Sequence, residues 1–121
     1  MKRLPTPSTG EVWIANLDPV RGSEQGRRRP IVAFQNPALA LFISTTLSIP
    51  LTSNLGRKGV VGTCFLPAGD GGLPQDSIAL CFQTRALDGT RLVRRLGVLS
   101  DDSIEALADA ILAAFGIVVE P

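Results

Sequence analysis

A run of charged residues between positions 18 and 36 holds the side chains best suited to binding phosphate. It contains four arginines, Arg21, Arg27, Arg28 and Arg29, with Glu24 as the carboxylate among them. Each guanidinium can grip a phosphate through two parallel hydrogen bonds. These residue types predict a site for a polyanion. The alternative at this point is an ordinary solvated loop, since charge runs are common on such surfaces.

The same run has the backbone chemistry of a loop between two strands. Residues 11–17 and 31–35 have strand character, whereas Pro19, Gly22, Gly26 and Pro30 oppose regular structure between them. The two glycines flank three polar residues and let the backbone turn at both ends. We therefore expect the loop to present these side chains together: Ser23, Glu24 and Gln25.

The charge of the chain is divided between its body and its end. The net charge is only +1, but residues 1–99 hold all 12 basic residues and six of the 11 acidic ones, which gives +6. Residues 100–121 hold the other five acids and no base, which gives −5. A basic body and an acidic terminal segment can present separate faces, so an anionic ligand is compatible with the small total.

Composition narrows the class of protein. With 121 residues, 45% of them hydrophobic, the chain has the size of one domain with its own core. No apolar run approaches the roughly 20 residues that span a bilayer, and residues 1–10 lack a secretion signal, so we expect a cytoplasmic protein. The chain has no histidine, and Cys64 and Cys81 are interpreted as reduced core residues. No metal or other cofactor is expected.

Short strands separated by glycine- and proline-rich loops predict a small antiparallel barrel. The first strand should have both faces covered, with Val12 and Ile14 on one face and Trp13, Ala15 and Leu17 on the other. Residues 1–9 are expected to form a flexible arm and residues 10–121 a single domain. Residues 37–44 are either a turn of helix or an apolar connection. The predicted strands are residues 11–17, 31–35, 45–51, 60–66, 77–83 and 92–98.

A terminal helix is predicted over residues 100–115. Apolar residues recur there at helical spacing, which predicts a stripe that packs on the barrel. Either Ser100 or Asp102 suits the N-cap, and Gly116 suits the position just after the helix. The stripe consists of Ile104, Leu107, Ala108, Ile111, Leu112 and Phe115.

The loop carries a motif that resembles a known family. Gly22 to Gly26, with the sequence Gly-Ser-Glu-Gln-Gly, is followed by a basic run and by Arg29-Pro30 before an apolar strand. This pattern resembles the signature of the MazF/PemK family of toxin endoribonucleases, with further similarity at residues 11–19, 49–53 and 83–92. The resemblance covers roughly residues 10–117. It implies a mainly β, SH3-like antiparallel barrel with a C-terminal helix, of the kind that CcdB toxins share.

The resemblance also implies partners and a site. The partners are a single-stranded RNA substrate, a second copy in a homodimer, and an acidic antitoxin of the MazE/PemI kind, together with which the chain would bind DNA. Arg29 and Thr52 match the family's catalytic arginine and threonine. Antiparallel pairing of the second and third strands would bring these two residues together, and Gln83 and Arg85 could line the same edge. The residues predicted to contact RNA are Arg21, Ser23, Gln25, Arg27, Arg28, Ser53, Gln83 and Arg85.

The predicted reaction is RNA cleavage without a metal. Arg29 is a permanently charged donor for the oxygens of a five-coordinate phosphorus, and the Thr52 hydroxyl adds a hydrogen bond. Because an arginine rarely gives up its proton, Glu24 is the predicted proton acceptor, with Arg29 as the alternative. Attack by the substrate's own 2′-hydroxyl would give the 2′,3′-cyclic phosphate that the resemblance implies.

Two other functions remain open from the sequence. CcdB-type toxins share this fold and poison DNA gyrase through a C-terminal Trp-Gly-Ile end. Phe115-Gly116-Ile117 is similar to that end, without the tryptophan and with four further residues. The third possibility is an inactive barrel that only binds an antitoxin.

Overall fold

The computed structural model describes residues 8–17 and 28–118. Within these ranges the chain forms seven strands and one α-helix, joined by short 3₁₀ turns. The elements are β1 Glu11–Asn16, β2 Arg28–Ala33, β3 Thr45–Thr52, β4 Thr63–Leu66, β5 Ser77–Leu80, β6 Arg85–Asp88, β7 Leu92–Val98 and α1 Asp101–Ala114. Residues 1–7 of the predicted arm lie outside the described residues. Its last residues are tied to the body, since the Thr9 hydroxyl donates to the Gln35 carbonyl.

The described strands form one antiparallel sheet in the order β4-β5-β3-β2-β1-β7, with β6 paired to the first half of β3. The end strands β4 and β7 do not pair with each other in the described part of the chain. A 3₁₀ turn after β4, Asp70–Gly72, packs against β7 instead. The approach is so close that a Cβ atom on Gly97 would lie 2.8 Å from the Gly71 carbonyl oxygen. The predicted mainly β, barrel-like fold with a C-terminal helix is confirmed, with this loop filling the gap between the end strands.

The sheet has apolar residues on both faces, as the pattern of β1 predicts. Val12 lies in the larger core, together with Leu107 and Ala110 of α1. Ala15 lies in a smaller cluster on the other face, and Trp13 and Leu17 pack against it. Alternate residues of β1 therefore serve two separate cores, because successive side chains of a strand point to opposite faces.

Helix α1 begins and ends as its sequence predicts. The Ser103 N–H donates to the hydroxyl of Ser100, which identifies Ser100 as the N-cap. At the other end Gly116 has a φ of 73°, and the Gly116 N–H donates to the Ala113 carbonyl. Ile104 and Ile111 pack on the core as expected. The last residue of the predicted stripe is different, because Phe115 lies beyond the final turn and is 74% exposed.

Several strand limits differ from the sequence prediction. β2 begins at Arg28 and includes Pro30, which lies opposite Ile14 of β1 but before the ladder with β3 starts at Ile31. A proline fits there because its fixed φ suits an extended chain and no ladder bond is lost. β4 begins only at Thr63, after Gly62 turns at a φ of 82°.

The largest difference is the predicted strand over residues 77–83. β5 ends at Leu80, a 3₁₀ turn covers Cys81–Gln83, and β6 follows as a separate strand that the sequence analysis missed. The end of β3 pairs with β5, and its start pairs with β6. The chain therefore pairs with one end of β3 through β5 and with the other end through β6. The 3₁₀ turn of Cys81–Gln83 connects the two pairings. The alternatives for residues 37–44 are also resolved, because a 3₁₀ helix covers Pro37–Leu41.

Cys64 and Cys81 are free and buried in the larger core, as predicted. Burial raises the pKa of the Cys64 thiol. Burial, together with the neighbouring Cys64, raises the pKa of Cys81 to about 12. Both thiols therefore stay protonated at neutral pH. Among the described residues, no helix is long and apolar enough to cross a bilayer.

Candidate active site

The register between β2 and β3 brings the two predicted catalytic residues to the same end of the sheet. Ile31 lies opposite Pro50, and Val32 lies opposite Ile49. Continuing this register by two residues places Arg29 opposite Thr52. Arg29 also pairs with β1, where it lies opposite Ala15, and Arg28 ends that pairing opposite Asn16.

A cleft of about 530 Å³ opens at this end of the sheet. Four residues that the sequence analysis predicted for the site lie together in its wall: Arg28, Arg29, Thr52 and Ser53. The other lining residues are Pro30, Leu51, Gln75 and Ser77. Leu51 is buried and Thr52 is half-buried, whereas both arginines are exposed. The cleft therefore combines two apolar residues with cationic, hydroxyl and amide groups.

The Thr52 hydroxyl is held by the backbone that follows it. Its oxygen accepts a hydrogen bond of 3.1 Å from the Asn54 N–H. The Asn54 side chain in turn accepts from the Gly56 N–H at 3.0 Å, which caps the 3₁₀ turn after β3. Because Thr52 uses an oxygen lone pair in this contact, its own O–H remains available to donate into the cleft.

The two cleft arginines are positioned by the pairing of their backbone with β1. Within the described ranges, no hydrogen bond or ion pair engages the guanidinium of Arg28 or Arg29. Arg95 differs, because its Nε donates to Glu11 Oε2 at 3.2 Å and forms an ion pair there. No other residue that the structure describes uses the donors of the cleft guanidiniums, which suit an anionic ligand.

Comparison with known proteins decides the family. A model described as the PemK-like, MazF-like toxin of type II toxin-antitoxin systems matches residues 8–115. The chain belongs to this family. Endoribonuclease MazF of Staphylococcus saprophyticus is 32% identical over 108 residues, which are 89% of this chain and 90% of that protein. The family predicted from the loop motif is therefore confirmed.

Solved structures of MazF proteins have the same fold. Mycobacterium tuberculosis toxin MazF-mt6 superposes with a TM-score of 0.73 at 25% identity, over 90% of this chain and 99% of that one. The MazF in a MazE-MazF crystal structure from Deinococcus radiodurans superposes with a TM-score of 0.75 at 25% identity, over 94% and 99% of the two chains.

Gln83 and Arg85 do not line the cleft of this MazF/PemK family member. Gln83 is exposed in the 3₁₀ turn after β5, and Arg85 lies opposite Ser48 in the pairing of β6 with β3. The Arg85 side chain reaches across the sheet, where Nη2 donates to the Leu17 carbonyl at 3.2 Å. Arg85 thus fixes the end of β1 where the predicted RNA-binding loop departs. The predicted strand placement of Gln83 is wrong, because β5 ends at Leu80 and the chain turns there, whereas the RNA-binding roles of Gln83 and Arg85 stay predictions.

Two polar residues of the MazF-family cleft, Gln75 and Ser77, were missed by the sequence analysis. The Ser77 hydroxyl donates to the Gln75 carbonyl at 2.9 Å, which shapes the entry to β5. Asp76 between them accepts from the Ala68 N–H at 2.9 Å. These contacts hold the backbone around the exposed Gln75, which lines the same cleft as Thr52. The polar Gln-Asp-Ser entry to a strand was visible in the sequence, but the pairing of β5 with β3 was not.

The remaining predicted residues of the site lie outside the described residues: Arg21, Ser23, Glu24, Gln25 and Arg27. β1 ends at Asn16, one residue before the last described residue of this range, and β2 begins at Arg28, beside the cleft. The two ends of the predicted loop are thus defined. The roles of its side chains stay predictions.

Proposed function

We propose that this chain is the endoribonuclease toxin of a type II toxin-antitoxin system and cuts single-stranded RNA without a metal. The observation that carries the proposal is the shared cleft of Arg29 and Thr52. Membership of the PemK-like, MazF-like toxins and the endoribonuclease name of the Staphylococcus saprophyticus relative support it. Phosphate is the group that suits an exposed guanidinium beside a donor hydroxyl.

The reaction is an internal displacement at phosphorus. The 2′-hydroxyl oxygen of the substrate attacks the adjacent phosphorus, and the bond from phosphorus to the 5′-oxygen breaks. The products are a 2′,3′-cyclic phosphate and a 5′-hydroxyl. Arg29 donates to the non-bridging oxygens as their negative charge grows, and the Thr52 O–H adds a second donor. DNA lacks the attacking hydroxyl and is bound without being cut.

The proton transfers need a group other than histidine, which this chain lacks. Glu24 is our candidate for accepting the 2′-hydroxyl proton, with Arg29 as the alternative, and the departing 5′-oxygen takes up a proton from solvent water. Asp76, the acidic neighbour of two cleft residues in sequence, already accepts a hydrogen bond from the Ala68 backbone. A carboxylate supplied by the loop between β1 and β2 is therefore the better candidate.

The proposed assembly is a homodimer that an acidic antitoxin inhibits. The Deinococcus radiodurans structure holds a MazF together with MazE, and we propose a partner of that kind for this chain. An acidic segment is attracted to the guanidiniums of Arg28 and Arg29 by the same charge that attracts RNA. Inhibition then requires only that the antitoxin and RNA compete for one surface.

The test is cleavage of single-stranded RNA by purified protein in EDTA, beside a gyrase supercoiling assay. Cleavage with a cyclic phosphate end and unaffected gyrase supports the proposal. Poisoned gyrase with intact RNA would favour the CcdB-like alternative, and inactivity in both assays would favour an antitoxin-binding barrel. Gly116 has a structural role that does not involve gyrase, because its positive φ suits the residue that terminates α1.

A further inference from the structure

Phe65 is an exposed aromatic side chain on the sheet that forms the cleft. It lies in β4, and 37% of it is exposed. Its neighbours Cys64 and Leu66 are both buried in the larger core. Because successive side chains of a strand alternate, the Phe65 ring lies on the face opposite that core.

Strand register places Phe65 on the same face as Thr52. Phe65 lies opposite Ile78 in the β4–β5 pair, and Thr52 lies opposite the same Ile78 in the β3–β5 pair. Directly opposed residues of antiparallel strands share a face. Phe65 is thus two strands from Thr52, a separation of about 10 Å at the usual strand spacing. The residue after Phe65 lies opposite Ser77, which lines the cleft.

Phe65 is paired with a cation. Lys58 Nζ lies 4.6 Å from the centre of the Phe65 ring. Arg57 precedes it in the turn after β3 and is also exposed. Neither residue forms an ion pair within the described part of the chain. An aromatic ring beside unpaired cations is the combination with which proteins hold a base and its phosphate in single-stranded nucleic acid.

We propose that Phe65 and Lys58 form a nucleotide subsite of the cleft. The Phe65 ring stacks on a base of single-stranded RNA close to the scissile phosphate, and Lys58 turns from the ring to a phosphate of the same strand. The subsite rests on the proposed RNA cleavage and gives the chain a sequence-tolerant contact, because every base has a face that can stack. The competing explanation is that Lys58 merely pins the turn after β3 onto β4.

The test compares Phe65→Leu, which keeps an apolar side chain, and Phe65→Trp, which keeps a flat ring. Phe42→Ala is the matched control, since Phe42 is 82% exposed and follows β2 at the end away from Thr52. We expect Phe65→Leu to lower kcat/KM about 5- to 100-fold, through KM, as for loss of one stacked base. Phe65→Trp and the control should keep wild-type values. Light scattering should give the same mass for every variant as for the wild type.

An abasic scan separates stacking from a structural role. Cut sites are mapped on a long transcript, and single abasic nucleotides are then placed on either side of a cut. At one position, loss of the base should lower cleavage by the wild type and leave cleavage by Phe65→Leu unchanged. Lys58→Gln should lower the magnitude of the log–log salt slope of RNA binding by about 0.7, the value for one phosphate contact.

Two results would overturn the subsite. One is wild-type kcat/KM for Phe65→Leu, and the other is an equal loss on intact RNA and on every abasic substrate. A different result would refute the proposed function, namely that the wild type binds RNA without cutting it. The ratio of RNA Kd values for Phe65→Leu and the wild type would then decide the subsite, with a ratio near one overturning it.

Discussion

Asp70 and Ser100 join the loop after β4 to the start of α1. The Ser100 N–H donates to Asp70 Oδ1 at 2.8 Å, and the Ser100 hydroxyl donates to Asp70 Oδ2 at 3.1 Å. Ser103 adds a third bond to the same carboxylate. The loop that fills the gap between β4 and β7 therefore also binds the first turn of α1. The Asp70 side chain connects this loop to the helix.

This contact makes stability depend on pH. Although burial acts in the opposite direction, the hydrogen bonds from Ser103 and Ser100 lower the pKa of Asp70 from 3.8. A carboxyl group whose pKa is lower in the folded than in the unfolded state stabilises the fold at a pH above its unfolded-state pKa. This stabilisation is lost as the pH falls through the pKa of the folded state. Asp70→Asn weakens the hydrogen bonds from Ser100 and Ser103 and should cost about 1 kcal/mol at pH 7, the net value of one such bond, and less below pH 3.8. Urea unfolding across this pH range measures it, with exposed Asp102→Asn as control. An equal cost at every pH would contradict the assignment.

Arg29→Ala should lower RNA cleavage by roughly 10² or more, the scale for one preorganised donor at a reacting group. The fold should remain intact, because the Arg29 side chain makes no contact that holds the described structure together. Single-turnover cleavage beside circular dichroism measures both. Arg94→Ala is the control, since Arg94 is exposed in β7 and is not in the cleft. Full activity of a folded Arg29→Ala protein would remove Arg29 from the mechanism.

RNA and the antitoxin should compete for the cleft. A Thr52→Ala protein, impaired in cleavage, should bind single-stranded RNA with a log–log salt slope of about −0.7 for each phosphate contact. An acidic antitoxin peptide should weaken that binding as its concentration rises. Fluorescence anisotropy measures both effects. A flat salt response, or a complex of all three components with undiminished RNA affinity, would show that the arginines are not a shared site.

The chain should form a symmetric dimer. Light scattering at micromolar concentration should give about twice the chain mass of 12.8 kDa. A monomer that cuts RNA at the full rate would rule out a role for the dimer in catalysis.

The sequence alone determined the features that depend on local chemistry. The spacing of Ile104, Leu107 and Ile111, with Ser100 before and Gly116 after, was sufficient to place α1, because caps and helical periodicity involve neighbours only. The loop motif identified the family. The approach of Arg29 to Thr52 followed from antiparallel pairing of two strands close in sequence.

Only the tertiary structure decided which distant strands meet. The division of β3 between β5 and β6 separates Gln83 from the cleft and brings Gln75 and Ser77 into it. The alignment of Phe65 with Thr52 depends on two successive registers through Ile78. Register between strands far apart in sequence is set by which side chains fill a common core, and a shift of one residue reverses the face of every side chain. Local sequence does not contain that information, so these contacts appear only when the chain is folded.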